Sequence, residues 1–280
     1  MSKLLRSGFH RYFKSLLFWL ALAASVVLGL LAGVRVMEDA MLDDIYVIAG
    51  FIIFAVLLTF MIGREYGEGG FKNKLATGHT RGTIIFSEYI VALSVCLILS
   101  FAATGVFAIM NASDYSRILP ELMVKSAVGY LFLVISMITM IFFISVLVSK
   151  KAVAAVLALL LVLGLYMAEH EINLDLNQPE YRNIVSIIDG KPHIAYGSEK
   201  NPQYVDSPLR ENLTFIVNLI PMSQAVYYND TVVPLFDPIN IMLSGGEDEK
   251  ILNTYPLYSI GTTLVFLAGA YVIFRKKDLK

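Results

Sequence analysis

The stretch GREYGEGGFKNKLATGHTRG, residues 63–82, separates two long apolar runs at 45–62 and 83–110. Each run reaches the ~17–25 residues that a helix needs to cross hydrocarbon. The polar stretch between them is too short for a domain, so it reads as a loop held between two membrane spans. Composition supports this reading across the chain. Of 280 residues, 57% are hydrophobic and only 16% are charged, with a mean hydropathy of +0.67. Soluble domains carry about 25% charged residues, so a soluble fold lacks the polar surface it would need, and an integral membrane protein is expected.

Working outward, further apolar runs occupy 15–34, 121–148, 152–168 and 258–274. These predict an all-α integral membrane protein of six transmembrane helices, forming one domain over 1–280. The third and fourth runs are long enough to imply tilt or extension beyond the hydrocarbon, and the fifth is short. The N-terminus shows a basic start and a long apolar run without a small-residue cleavage site, unlike a cleaved signal peptide.

Charge asymmetry orients the bundle. Lys3, Arg6, Arg11 and Lys14 precede the first span, and Arg64, Lys72, Lys74 and Arg81 lie between the second and third. Lys150 and Lys151 join the fourth to the fifth, and Arg275, Lys276, Lys277 and Lys280 follow the sixth. The two short loops opposite carry Arg35, Arg117 and Lys125 beside Glu38, Asp39, Asp43, Asp44, Asp114 and Glu121. Both termini are therefore expected in the cytoplasm. The large segment at 169–257 is then external, with 13 Asp and Glu against 5 Lys and Arg. Within it, 213–228 is apolar and aromatic but broken at Asn218 and Pro221. It reads as a re-entrant or interfacial helix pair, with a packed helix outside the membrane or a true span as alternatives. Asn111, Asn212 and Asn229 lie in N-x-S/T patterns on the external side and carry no weight by themselves.

The loop at 64–82 has its own logic. Gly67, Gly69 and Gly70 let the chain turn where the second span ends. Phe71, Leu75 and Gly78 then fall on one helical side, with Lys72 and Asn73 elsewhere and Lys74 at the apolar edge. Gly78 suits the stop of this short amphipathic helix and Thr80 the N-cap of the next. Two readings stand side by side. Arg64, Lys72, Lys74 and Arg81 could anchor to anionic lipid headgroups, or the helix could dock another protein. Glu65 and Glu88 sit at the membrane edge, where a carboxylate calls for a partner. Arg64, Lys72, Lys74 and Arg81 are the cations within sequence reach, the alternative being that both carboxylates extend to water.

At this point a resemblance emerges. Glu65 and Tyr66, followed by Phe71, Lys72, Leu75, Gly78, Thr80 and Arg81, with Ser87 ahead in the third span, are similar to the loop of ABC-2 type permeases of bacterial ABC transporters. The chain differs by Gly70 in place of threonine and Glu88 near a common lysine position. The terminal YVIFRKKDLK also resembles the way these permeases end. The resemblance implies a multi-pass subunit of the bacterial plasma membrane that pairs with a second permease, identical or paralogous. It also implies two copies of a cytoplasmic ATPase subunit as partners, with membrane lipid around the assembly and no nucleic acid. The loop helix would be the coupling helix, Glu65 and Tyr66 buttressing its start and Phe71 and Leu75 supplying the docking face. ATP and Mg would be bound by the partner, since this chain is expected to have no cofactor and no catalytic activity of its own.

The residues exclude several chemistries. GEGG at 67–70 lacks the Gly-Lys-Ser/Thr of a phosphate loop. His170 and Glu171 begin a zinc-protease pattern that no later histidine completes. Four histidines and one cysteine leave little for a metal cluster or disulfide, and Cys96 lies in an apolar run. No acidic pair sits mid-membrane to relay protons. Small residues recur in the first run (Ala21, Ala23, Ala24, Gly29, Gly33) and the fifth (Ala152, Ala154, Ala155, Ala158, Gly164), at a dimer seam or within the bundle. Export of an amphipathic peptide or lipid-like substrate is the leading expectation. The alternative is a non-transporting sensor or immunity protein acting through the acidic external region. The orientation is testable in a Cys96→Ala background. A membrane-impermeant thiol reagent should label Gln203→Cys in intact cells and spare Lys276→Cys, and the reverse pattern would overturn the topology.

Overall fold

The computed structural model describes residues 1–34, 40–112, 120–188, 191–232 and 247–278. Arg35, Glu38, Asp39, Asp114, Arg117 and Lys280, used above to orient the chain, lie outside the described residues, as does 233–246 of the external segment. Ten helices occur among the described residues: α1 (Ser2–Phe13), α2 (Leu16–Gly33), α3 (Ala40–Gly67), α4 (Gly70–Ala76), α5 (Arg81–Met110), α6 (Pro120–Leu147), α7 (Lys151–Leu176), α8 (Leu209–Leu219), α9 (Pro221–Val232) and α10 (Glu247–Lys276). Six of these, α2, α3, α5, α6, α7 and α10, contain stretches long and apolar enough to cross a membrane. The chain is a multi-pass membrane protein.

The bundle is organised around α6, which packs against α3, α5, α7, α9 and α10. Leu133, Val134, Met137, Ile138, Ile141, Phe142 and Val146 are all buried. With Ser136, Thr139 and Met140 buried as well, the consecutive residues 136–142 are covered on every side of the helix. Hydroxyls inside the bundle mostly return to their own helices. Thr59 donates to the Ala55 carbonyl at 2.6 Å, Thr139 to Ile135 at 2.7 Å and Ser145 to Ile141 at 2.8 Å. Without water to hydrogen-bond, this local closure satisfies each polar group at no cost to helix packing.

The small-residue stripes are partly used inside one chain, while Ala23, Ala152 and Gly164 are exposed. Ala21, Ser25 and Gly29 are buried on α2, and a Cβ at Gly29 would meet the Ala103 backbone of α5. Ala154, Ala155 and Ala158 are buried on α7, which packs on α3.

Three departures from the sequence expectations stand out. The fifth span is not short: α7 runs on through Glu169 and Glu171 to Leu176. Glu169 is buried and accepts a hydrogen bond from Asn173, one turn later. An antiparallel hairpin, β1 (Tyr181–Ile188) and β2 (Lys191–Lys200), interrupts the all-α expectation within 169–257. Its open end is closed by Arg182, whose guanidinium meets Glu199 at 2.7 and 3.0 Å. The third departure is α1, a separate helix formed by the basic start, where no element was expected.

The 213–228 run forms parts of two short helices, α8 and α9, meeting at Ile220 and Pro221. At 11 and 12 residues, neither is a span. Helix α9 is wedged among α3, α6, α7 and α10, with Met222, Ser223, Gln224 and Ala225 buried. Gln224 satisfies itself there, accepting from Ser259 at 2.5 Å and donating to the Asn218 carbonyl at 2.8 Å.

The wedge reaches α6 at Gly129, where the Tyr228 hydroxyl occupies the space a Cβ would take. That hydroxyl is buried without a hydrogen-bond partner among the described residues. Gly129→Ala should therefore destabilise the protein by about 1–3 kcal/mol through overpacking. Adding Tyr228→Phe removes the nearest colliding atom, the hydroxyl, but leaves the ring carbon Cζ in contact, so it should restore only part of the loss. A double-mutant cycle in detergent-solubilised protein reads this directly, and simple additivity would contradict the contact.

Candidate functional site

Helix α3 ends at Gly67, and Gly69 then takes a left-handed conformation (φ 70°) that reverses the chain into α4. Helix α4 closes with the amide of Gly78, also left-handed (φ 88°), donating to Leu75 at 2.9 Å, while that of His79 donates to Lys74 at 3.2 Å. This double bond is the glycine-dependent C-terminal motif of helices. Two residues on, Thr80 caps α5 by accepting from the Thr83 amide at 3.2 Å. The loop signals at Gly78 and Thr80 thus act as read from sequence.

A seven-residue helix is too short to persist alone, so α4 depends on what holds it. One anchor is apolar. Phe71 is 1% exposed and packs edge-on between Tyr66 of α3, at 4.7 Å between ring centroids, and Phe274 of α10, at 5.1 Å. The expectation that Phe71 presents a docking face is corrected here: its ring is the inward wedge, because the Gly69 turn rolls that side of α4 onto the bundle. Leu75 is half-buried against the same core. Lys72, Asn73, Ala76 and Thr77 are the exposed positions.

The second anchor is ionic. Glu65 of α3 and Glu88 of α5 are 7% and 4% exposed. Lys74 of α4 pairs with both, approaching Glu88 at 2.5 Å. Arg11 of α1 also pairs with both, reaching the Glu88 oxygens at 2.9 and 3.1 Å. Two carboxylates and two cations from four helices form one neutral cluster. Gly70 makes room for it, since a Cβ there would collide with the Glu65 carboxylate. Burial pulls the Lys74 ammonium below the usual lysine range, and the negative charge of Glu88 opposes that shift. Next to Arg11, burial and Glu88 push the Tyr12 phenol well above its ordinary value.

A third set of contacts closes the neighbouring helix ends. Arg81 donates to the carbonyls of Phe274, Arg275 and Lys277 at 3.0, 3.2 and 2.5 Å, capping α10. Lys277 donates to Val146 and Leu147 at 2.7 and 3.0 Å, capping α6, and sits 4.2 Å from the Tyr66 ring centroid. Tyr66 donates to the Val146 carbonyl at 2.9 Å. Cations at helix C-termini meet both the unpaired carbonyls and the negative end of the dipole. Burial lowers the Lys277 ammonium to about 8, so it remains mostly protonated near neutral pH.

The sequence-derived residues therefore separate into distinct roles. Glu65, Glu88 and Lys74 come together, Tyr66 and Phe71 stack, and Arg81 is a cap. Lys72 is exposed and without an ionic partner among the described residues. Arg64 does not reach Glu65 or Glu88; it points outward to Glu68, one turn on, at 3.1 Å. Arg11 and Lys277 were missed. Arg11 was detectable in principle, because Leu4, Gly8 and Tyr12 recur at i, i+4 and i+8 and mark 2–13 as a docked helix. Among the described residues, no group of His, Cys, Asp and Glu is placed to hold a metal ion. The arrangement supplies a rigid ionic junction carrying a short exposed helix. Compared with family models, with curated proteins and with solved structures, the chain gives no match.

The cluster and the surface pair should respond differently to mutation. Glu88→Ala leaves two partly buried cations short of a partner and should cost about 3 kcal/mol. Arg64→Ala removes only an exposed pair and should change stability by less than about 0.5 kcal/mol. Thermal unfolding in detergent checks both, and equal effects would deny the cluster its structural role.

Proposed function

We propose that the chain is the membrane-spanning permease subunit of an ATP-driven exporter of the ABC-2 type. On this reading the end bearing α1, α4 and the C-terminus faces the cytoplasm of a bacterial cell, and the hairpin with α8 and α9 lies outside. Two such subunits, identical or paralogous, would assemble with two copies of a separate ATPase subunit, which binds ATP and Mg. The observation that carries the reading is α4. It is a short helix locked on its inner side by Phe71 and Lys74, yet exposed along Lys72, Asn73, Ala76 and Thr77. Such an element is built to receive force from outside the bundle and pass it in. The loop's resemblance to ABC-2 permeases and the basic charge of this end support the same reading.

Docking would use the outward positions rather than Phe71. ATP-driven closure of the ATPase pair would then displace α4 together with the ends of α1, α3, α5 and α10. An amphipathic peptide or lipid-like molecule fits the apolar bundle as cargo.

An ATP-binding cassette protein should co-purify with the wild-type chain from native membranes. Lys72→Glu combined with Ala76→Glu should abolish that recovery while leaving the thermal midpoint unchanged. Retention of the ATPase by this folded double variant would overturn the docking role of α4. Recovery of no ATPase by the wild type would overturn the transporter reading itself. Phe71→Asp is no test of docking, because it breaks the bundle.

A further inference from the structure

The cations of the basic end are unequally occupied. Arg11 and Lys74 are held by Glu65 and Glu88, Arg64 by Glu68, and Arg81 and Lys277 by helix-end carbonyls. The side chains of Lys3, Arg6, His10 and Lys14 of α1 have no ionic or hydrogen-bond partner among the described residues. All four are exposed. Their spacing (i, i+3, i+7 and i+11) places them along one face of the helix. Lys3, Arg6, Ser7 and His10 line an open groove of about 610 Å³.

The other faces of α1 show where this groove lies. Leu4, Gly8 and Tyr12 are buried toward α5, with Gly8 against Val91. At the junction with α2, Phe13 is exposed beside Leu16 and Trp19, which are 73% and 54% exposed. The Trp19 indole donates to the Phe13 carbonyl at 2.8 Å, pinning the ring at the first turn of the span. An exposed tryptophan at the start of an apolar span sits at the boundary between hydrocarbon and headgroups. The basic groove thus lies on the helix that leads into this apolar surface, at the start of the first span.

We propose that this face of α1 binds the phosphate headgroup of an anionic phospholipid in the leaflet on the α4 side. The lysine, arginine and serine groups complement a phosphodiester, and the Phe13, Leu16 and Trp19 surface receives the chains. The same helix carries Arg11, so the lipid that holds α1 against the bundle also holds one cation of the four-helix cluster. The inference does not rest on the transporter reading.

The probe is phosphatidylglycerol on the full-length chain, counted by native mass spectrometry after exchange from phosphatidylcholine nanodiscs doped with it. Lys3→Gln with Arg6→Gln should lower its retention about 25-fold, at about fivefold per cation near a membrane surface. Raising the salt should weaken the wild-type retention. Arg275→Gln with Lys276→Gln removes equal charge from the same end and should change retention less than about twofold. Equal loss in both pairs, or no loss in the first, would overturn the site. Displacement of the lipid by millimolar inorganic phosphate would also overturn it, by showing a free-anion site. The first pair should keep its thermal midpoint in pure phosphatidylcholine; a drop there would assign Lys3 and Arg6 a structural role instead.

Discussion

Glu65 and Glu88 lie together at the end of a bundle whose interior is nearly free of charge, and neither can remain ionised there without cations. Desolvating a carboxylate costs several kcal/mol unless close, well-directed partners return it. Lys74 and Arg11 do so together, each touching both acids. Because the four side chains come from α1, α3, α4 and α5, the electrostatic requirement becomes a mechanical one. None of these helix ends can shift far alone without leaving a buried charge unmatched.

Helix α4 inherits its position from that constraint. Seven residues supply too few internal hydrogen bonds for independent stability. The Lys74 pairs and the Phe71 wedge hold it from two sides, one ionic and one aromatic. Through Phe274 the wedge also touches α10, which Arg81 ties to α5 and Lys277 ties to α6. In the proposed transporter, a push on α4 would thus reach α1 and the second, third and last spans through contacts rather than through a flexible loop. The opposite end is built differently. There α9 fills a gap between spans with aromatic packing and a buried polar exchange at Gln224 and Ser259.

The parts legible in the sequence are those where one local rule dominates. Six spans could be read as apolar runs because hydrocarbon tolerates little else. The left-handed Gly78 and the Thr80 cap were legible because backbone geometry at helix ends selects those residue types. The end of α7 was misplaced because Glu169, Glu171 and Asp175 look like an exit to water. A helix can continue through such residues once outside the hydrocarbon, and Glu169 finds Asn173 one turn along. The hairpin was passed over as a turn-rich stretch. Asp189 and Gly190 between runs containing Ile, Val and Tyr were the available signal.

By itself, the sequence determined the membrane class, the number of spans and the site of the short loop helix, since hydropathy and helix-end chemistry act within a few residues. The tertiary structure alone decided which way that helix faces and which cations meet which acids. Phe71 and Leu75 describe an apolar face without saying whether it turns to a partner or to the chain's own core. Arg64 lies next to Glu65 in sequence yet points elsewhere, while Arg11, 77 residues from Glu88, completes its ion pair. Side chains on adjacent helical positions diverge by about 100°. Desolvated charges are matched by proximity in space, and only the packing of α1 against α5 brings that cation within reach.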